Sequence, residues 1–205
     1  FCNHRESVDR VSGYLREQKL AHEAYHGGME QEVRERALYK FRNGSSNVLI
    51  STDLAARGLD IPEVQYIIHY HLPGSEDAYI HRTGRTARWN AEGSSFIILH
   101  SEEHVPEYLT TETNDYVLPE RVGRPEQPIW TTIYIGRGKK DKINKVDIVG
   151  FLYKKGQLTR EDVGNIDVHD YYAYVAVRRS KVKQLLNMVA NEKIKGLKTK
   201  MEIAR

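Results

Sequence analysis

Apolar residues recur at helical spacing in two polar stretches near the start of the chain. They fall at Val8, Val11, Tyr14 and Leu15 within 6–18, and at Val33, Ala37, Leu38 and Phe41 within 31–42. Both spacings predict amphipathic helices with one stripe against a core. Between and after them lie short strand-like runs at 21–25, 47–51, 64–69 and 95–99. Near-continuous apolar runs such as Val48-Leu49-Ile50 suit parallel strands covered on both faces. Strands alternating with helices predict a parallel α/β sheet.

The order changes from residue 129. A strand at 130–136 is followed by a helix at 145–154, strands at 165–168 and 171–177, a helix at 181–191 and a strand at 198–203. That βαββαβ order is ferredoxin-like, the topology that RRM domains use. Residues 101–128, with scattered Pro, Thr and Glu and weak periodicity, read as a linker with one short helical turn at most. The expected organisation is an α/β domain over 1–105, a linker over 106–128 and an α+β RRM-like domain over 129–205. Phe1-Cys2-Asn3 reads as the end of a buried strand, so a longer polypeptide is expected.

Charge sharpens this division. The whole chain carries a net charge of +3, yet residues 128–205 hold 17 Lys and Arg against 8 Asp and Glu, a net +9, and residues 1–127 a net −6. A basic module joined to an acidic one suggests a nucleic-acid-facing surface. No apolar run approaches the ~20 residues of a membrane span, and no signal-peptide pattern opens the chain. The single cysteine, Cys2, excludes an intramolecular disulfide and fits a reducing compartment. A cytoplasmic, monomeric protein is expected.

Two runs carry candidate chemistry: Ser51-Thr52-Asp53-Leu54-Ala55-Ala56-Arg57-Gly58-Leu59-Asp60 and His81-Arg82-Thr83-Gly84-Arg85-Thr86-Ala87-Arg88. With Phe1-Cys2-Asn3-His4-Arg5 and Gln31-x-x-Arg34, they resemble motifs V, VI, IV and IVa of the DEAD-box RNA helicases, in order and in register. The resemblance implies a RecA-like helicase C-terminal domain. It implies that Arg85 and Arg88 reach the γ-phosphate of ATP, that Asp60 contacts its ribose, and that His81 couples two RecA-like domains when they close. It also implies that Arg5, Arg34 and Thr52 hold an RNA backbone. A guanidinium suits phosphate because it is always charged and binds two oxygens at once, and arginine fingers supply much of the catalysis in phosphoryl transfer.

No G-x-x-x-x-G-K-[ST] loop and no Asp-Glu-Ala-Asp run occurs. In the resembling family the ATP cradle and the Mg2+ ligands lie in an N-terminal RecA-like domain. This chain alone is therefore expected to hold no cofactor and to be inactive, and the N-terminal domain is its expected partner. Ala87 departs from the family's usual Gly. His22-Glu23-Ala24-Tyr25-His26 matches the zinc-protease pattern H-E-x-x-H, but it precedes Gly27-Gly28 and reads as a strand. On a strand the two histidines lie too far apart to share a metal, so no metal site is expected there. His69-Tyr70-His71 reads as strand-end packing.

In the basic domain, Tyr171-Tyr172-Ala173-Tyr174-Val175-Ala176-Val177 and Ile133-Tyr134-Ile135-Gly136 resemble the two RNA-binding strands of RRM domains. Alternation puts Ala173, Val175 and Val177 inward and Tyr134, Tyr172 and Tyr174 outward, a candidate platform for stacked bases. The segments 136–142, 162–166, 174–175 and 194–196 resemble the C-terminal domain of DbpA-type DEAD-box helicases. That resemblance implies anchoring to a hairpin of 23S ribosomal RNA during large-subunit assembly, with phosphate contacts from Lys139, Lys140, Lys142, Arg178, Arg179, Lys193 and Lys195. Two rival readings are a DNA-acting helicase of the same superfamily and a non-enzymatic RNA-binding scaffold. An RNA-versus-DNA competition assay separates the first, and the presence of Arg85, Arg88 and Asp60 argues against the second.

Overall fold

A computed structural model describes residues 1–56, 64–86, 93–109 and 113–204. By its internal contacts the chain divides into two compact units. One comprises Phe1–Leu20, Ala24–Arg34 and Leu49–Glu126; the other comprises Ala21–Glu23, Glu35–Val48 and Gln127–Arg205. The second unit thus takes in 35–48, which the sequence pattern groups with the first domain.

The chain begins with α1 (Arg5–Glu17), β1 (His22–Tyr25), α2 (Gln31–Arg42) and β2 (Val48–Ser51). It continues through α3 (Asp53–Ala56), β3 (Tyr66–His69), α4 (Glu76–Thr83) and β4 (Ser94–Ile97). The expected α/β alternation is present. β3 and β4 pair in parallel from Tyr66↔Ser94 to His69↔Ile97, and Cys2 bridges Thr52 in parallel. The Cys2 amide donates to Ser51 O at 2.9 Å and the Tyr70 amide to Phe1 O at 2.9 Å. Phe1 and Cys2 therefore run between the carboxyl ends of β2 and β3. Val8 of α1 closes on Cys2 and Ile50, with Val11, Leu15 and Ala24 packed around them. Tyr14, expected in that stripe, is 61% exposed, because six residues beyond Val8 is 240° around the helix.

α4 escaped the sequence reading. Ser75 caps it, its Oγ accepting from the Ala78 amide at 3.2 Å. It ends at Gly84, whose amide donates back to Ile80 O at 2.8 Å. Its buried residue is a charged one, Arg82. Among the described residues of 101–128 there is no helix or strand.

The second unit contains β5 (Trp130–Ile135), α5 (Lys145–Lys154), β6 (Val163–Val168), β7 (Ala173–Arg178) and α6 (Val182–Val189), then β8 (Lys193–Ile194), β9 (Leu197–Lys198) and β10 (Met201–Ile203). The sheet order is β10-β5-β7-β6, with every neighbouring pair antiparallel. This is the expected ferredoxin-like arrangement with one addition, the β8–β9 hairpin. The left-handed Lys195 (φ 50°) and Gly196 (φ 80°) form its two-residue turn. α5 starts with a reciprocal cap in which Asn144 and Asp147 each bond the other's backbone amide. Ala173, Val175 and Val177 point into a core shared with Ile133, Ile135, Ile148, Leu152 and Leu185, as alternation requires.

Candidate functional site

The carboxyl ends of β2 and β3 converge on one side chain. Arg82 is 1% exposed, and all five of its N–H donors are used. Nε and Nη2 hold the two oxygens of Asp53 at 2.5 and 2.7 Å. Nη2 also donates to Asn3 Oδ1 at 2.7 Å, and Nη1 to the His71 carbonyl at 2.8 Å and His69 Nδ1 at 3.3 Å. Since His69 Nδ1 accepts, Nε2 bears the proton and donates to Ser95 Oγ at 2.9 Å. Burial, then the neighbouring Arg82 charge, lowers the His69 pKa from 6.5 to about 4, so the ring is neutral. Asn3 is held three ways: its amide donates to His71 Nδ1, its Nδ2 to Leu72 O, and its Oδ1 accepts from Arg82. One guanidinium thus joins Asn3, Asp53 after β2, His69 of β3 and α4.

The other residues singled out in this unit surround that frame. His81, next to Arg82 on α4, is exposed and lies 3.4 Å from Asp77. Arg85 follows the helix cap; its amide donates to Arg82 O at 3.2 Å and its carbonyl accepts from the Val64 amide at 3.2 Å. Thr52 pairs with Cys2 and precedes Asp53. Arg5 is exposed beside Glu6 at 2.8 Å, and Arg34 bonds Gln31 Oε1. Asp60 and Arg88 lie outside the described residues. His26 of the H-E-x-x-H run is buried: its Nε2 lies 3.1 Å from Asp9 Oδ1 and its Nδ1 accepts from the Gly28 amide at 3.2 Å. Neither nitrogen is left to hold a metal. Asn3, Asp53 and Arg82 had no individual role assigned from sequence, and His69 was expected only to pack at the strand end, where it is buried. The detectable signal was the alternation of β3, which places His69 in phase with buried Ile67.

In the second unit, a short 3-10 turn over Lys139–Asp141 is stitched to the β6–β7 loop. The Lys139 amide donates to His169 O and the Lys140 amide to Asp170 O, each at 2.8 Å. This close approach requires Gly138, where a Cβ would stand 2.2 Å from His169 O. Lys139, Lys140, Lys142 and Lys193 are exposed. Lys193 stands directly across from Lys198, which the sequence reading did not single out. Like charges facing each other across a hairpin repel, and an anion between them relieves that. A cavity of about 340 Å3 beside the turn is lined by Lys139, Asn144, Lys145, Asp167, Val168 and His169, with His169 Nε2 buried and unpartnered.

Three of the expected phosphate ligands are tied to the fold. Lys195 Nζ donates to Lys142 O at 2.8 Å and lies 3.3 Å from Asp147 Oδ2. Arg179 donates to Pro128 O at 2.6 Å and Trp130 O at 3.3 Å. Arg178 lies 3.6 Å from Asp162 and donates to Glu161 O.

The outward-facing tyrosine platform needs correction. Tyr134, Tyr172 and Tyr174 do lie on the face opposite Val175, but Tyr174 is only 5% exposed. The ring of Tyr39, in the same compact unit, stands 5.2 Å from it. Tyr172 stacks on His169 at 4.8 Å and donates its hydroxyl to Glu35 at 3.0 Å. Burial pushes the Tyr174 pKa up to about 12. Alternation predicts which face a residue takes; it does not predict what else packs on that face. As arranged, Tyr174 offers no open surface to a base.

Comparison with known proteins matches residues 1–90 to the helicase conserved C-terminal domain and residues 132–203 to the DbpA RNA binding domain. The chain is similar to the ATP-dependent RNA helicase DbpA of Escherichia coli, 32% identical over 96% of this chain and 44% of that protein. It is also similar to that of Bacillus subtilis, 29% identical over all of this chain and 48% of the relative. The ATP-dependent RNA helicase mak5 of Schizosaccharomyces pombe is 43% identical over 50% of this chain and 16% of its own length. The chain spans about half the length of the DbpA relatives.

Proposed function

From a chain whose domains are those of the DbpA-like DEAD-box RNA helicases, we propose that it is the C-terminal part of an ATP-dependent RNA helicase that unwinds short duplexes near a structured RNA anchor. The observation that carries this reading is the occurrence, in one chain, of a helicase C-terminal domain and a DbpA RNA-binding domain.

In this reading ATP is a substrate shared with an N-terminal RecA-like domain, and Mg2+ arrives with it. Arg85, with Arg88, stabilises charge on the γ-phosphoryl group; a guanidinium there acts by electrostatics and positioning. Asp60 meets the ribose, and His81, exposed on α4, faces the partner domain. Arg5, Arg34 and Thr52 grip the sugar-phosphate chain without reading its sequence. The second domain tethers the enzyme through Lys139, Lys140, Lys142, Lys193 and Lys198, raising the effective concentration of the catalytic domains near neighbouring duplexes. In this reading its RNA is a hairpin of 23S ribosomal RNA, and the protein acts as a cytoplasmic monomer in large-subunit assembly. The test is RNA-stimulated ATP hydrolysis by the helicase that contains this chain. Arg85→Ala is expected to reduce it by about a hundredfold or more; unchanged stimulated turnover would remove Arg85 from the catalytic role.

A further inference from the structure

Arg82 lies within a helicase motif, yet it is 1% exposed and holds no donor in reserve for a ligand. What it touches comes from three places in the chain: Asn3, two residues before Arg5; Asp53, next to Thr52; and His69 and His71, at and beyond the end of β3. Its own helix ends at Gly84, one residue before Arg85. Arg5 and Thr52, assigned to RNA, and Arg85, assigned to nucleotide, thus lie one to three positions from Arg82 or a residue bonded to it.

We propose that Arg82 is a positioning residue that holds the RNA-facing Asn3–Arg5 and Thr52 segments and the nucleotide-facing Arg85 turn in one rigid frame, so that ordering one orders the other. The fork geometry is essential. A planar guanidinium addresses a bidentate carboxylate, an amide oxygen, a carbonyl and an imidazole at once. An ammonium has three donors and no fixed plane. His69 extends the frame to β4 through Ser95, and its neutral state preserves the acceptor that Arg82 Nη1 needs. For the roles of Arg5, Thr52 and Arg85 the inference rests on the helicase reading; the frame itself does not.

The test has two arms. In this chain, Arg82→Lys is compared with wild type by amide hydrogen exchange. Exchange is expected to accelerate about tenfold or more at both Asp53–Ala56 and residues 84–86, together, with the β5–β7 pairing of the second unit unchanged. Acceleration at only one segment, or at neither, would overturn the proposal. If that variant does not fold, Asn3→Ala, which removes a single arm, takes its place under the same criteria. In the helicase containing this chain, the same variant is expected to lower the RNA-stimulated turnover number about tenfold and raise the RNA concentration for half-maximal stimulation several-fold. A residue that only stabilised the fold would reduce the active fraction and leave that half-maximal concentration where it was, which would also overturn the proposal. Absence of RNA stimulation in the wild-type enzyme would sink the helicase reading, and the exchange arm would still decide the frame.

Discussion

Arg82 and Asp53 show why a charge can be buried at the end of a parallel sheet: every donor finds an oxygen or a ring nitrogen, so desolvation is offset by five directed bonds. Removing one partner strands the other. Arg82→Ala should destabilise the first unit by about 3–5 kcal/mol in urea denaturation; a loss under about 1 kcal/mol would mean that water replaces the guanidinium freely. His69 adds a pH dependence. Its folded pKa of about 4 lies below its ordinary 6.5, so between those values the unfolded chain binds the extra proton. Stability of the first unit should be full above pH 6.5, fall as the pH drops towards 4, and level off once both states are protonated, after a loss of about 3 kcal/mol. His69→Gln should flatten that segment of the curve; an unchanged slope would point to another group. Little of this was legible beforehand. Position 82 stands out in sequence only as a member of a motif, and the motif does not say which arginine faces inward.

At the scale of elements, legibility followed pattern strength. α2 and α5 match the expected spans 31–42 and 145–154, because apolar spacing marks both and a reciprocal Asn144–Asp147 cap marks the start of α5. α4 was missed because its inward side is carried by Arg82 rather than by an apolar stripe. The β8–β9 hairpin was missed because a Lys-Gly turn between two-residue strands has almost no pattern to read. That hairpin separates structural from ligand-facing lysines. Lys195→Ala removes the bonds to Lys142 O and Asp147 and should lower thermal stability while changing RNA affinity little. Lys193→Ala relieves the facing Lys198 charge; it should leave stability equal or higher and flatten log K against log salt by about 0.7–0.9. The reverse pattern would exchange their roles. Gly138→Ala forces a Cβ into backbone carbonyls of the β6–β7 loop. It should cost about 2–4 kcal/mol and, by displacing Lys139 and Lys140, weaken RNA binding.

The whole molecule divides its charge between its two ends. The C-terminal 78 residues hold a net +9 while the rest holds −6, and Lys139, Lys140, Lys142, Lys193 and Lys198 lie exposed on turns and a hairpin of the second unit. The sheet face expected to stack bases is occupied by Tyr39 and Glu35. RNA binding by this unit should therefore depend on its lysine-bearing edge far more than on the tyrosines. The most direct measurement titrates this chain, by fluorescence anisotropy at two salt concentrations, with a hairpin from the peptidyl-transferase region of 23S RNA and with a scrambled hairpin of equal length. The account predicts tighter binding to the ribosomal hairpin by about a hundredfold or more, with the preference kept at the higher salt. Equal binding to both, falling steeply with salt, would contradict the specific anchor and leave only a general phosphate-binding arm.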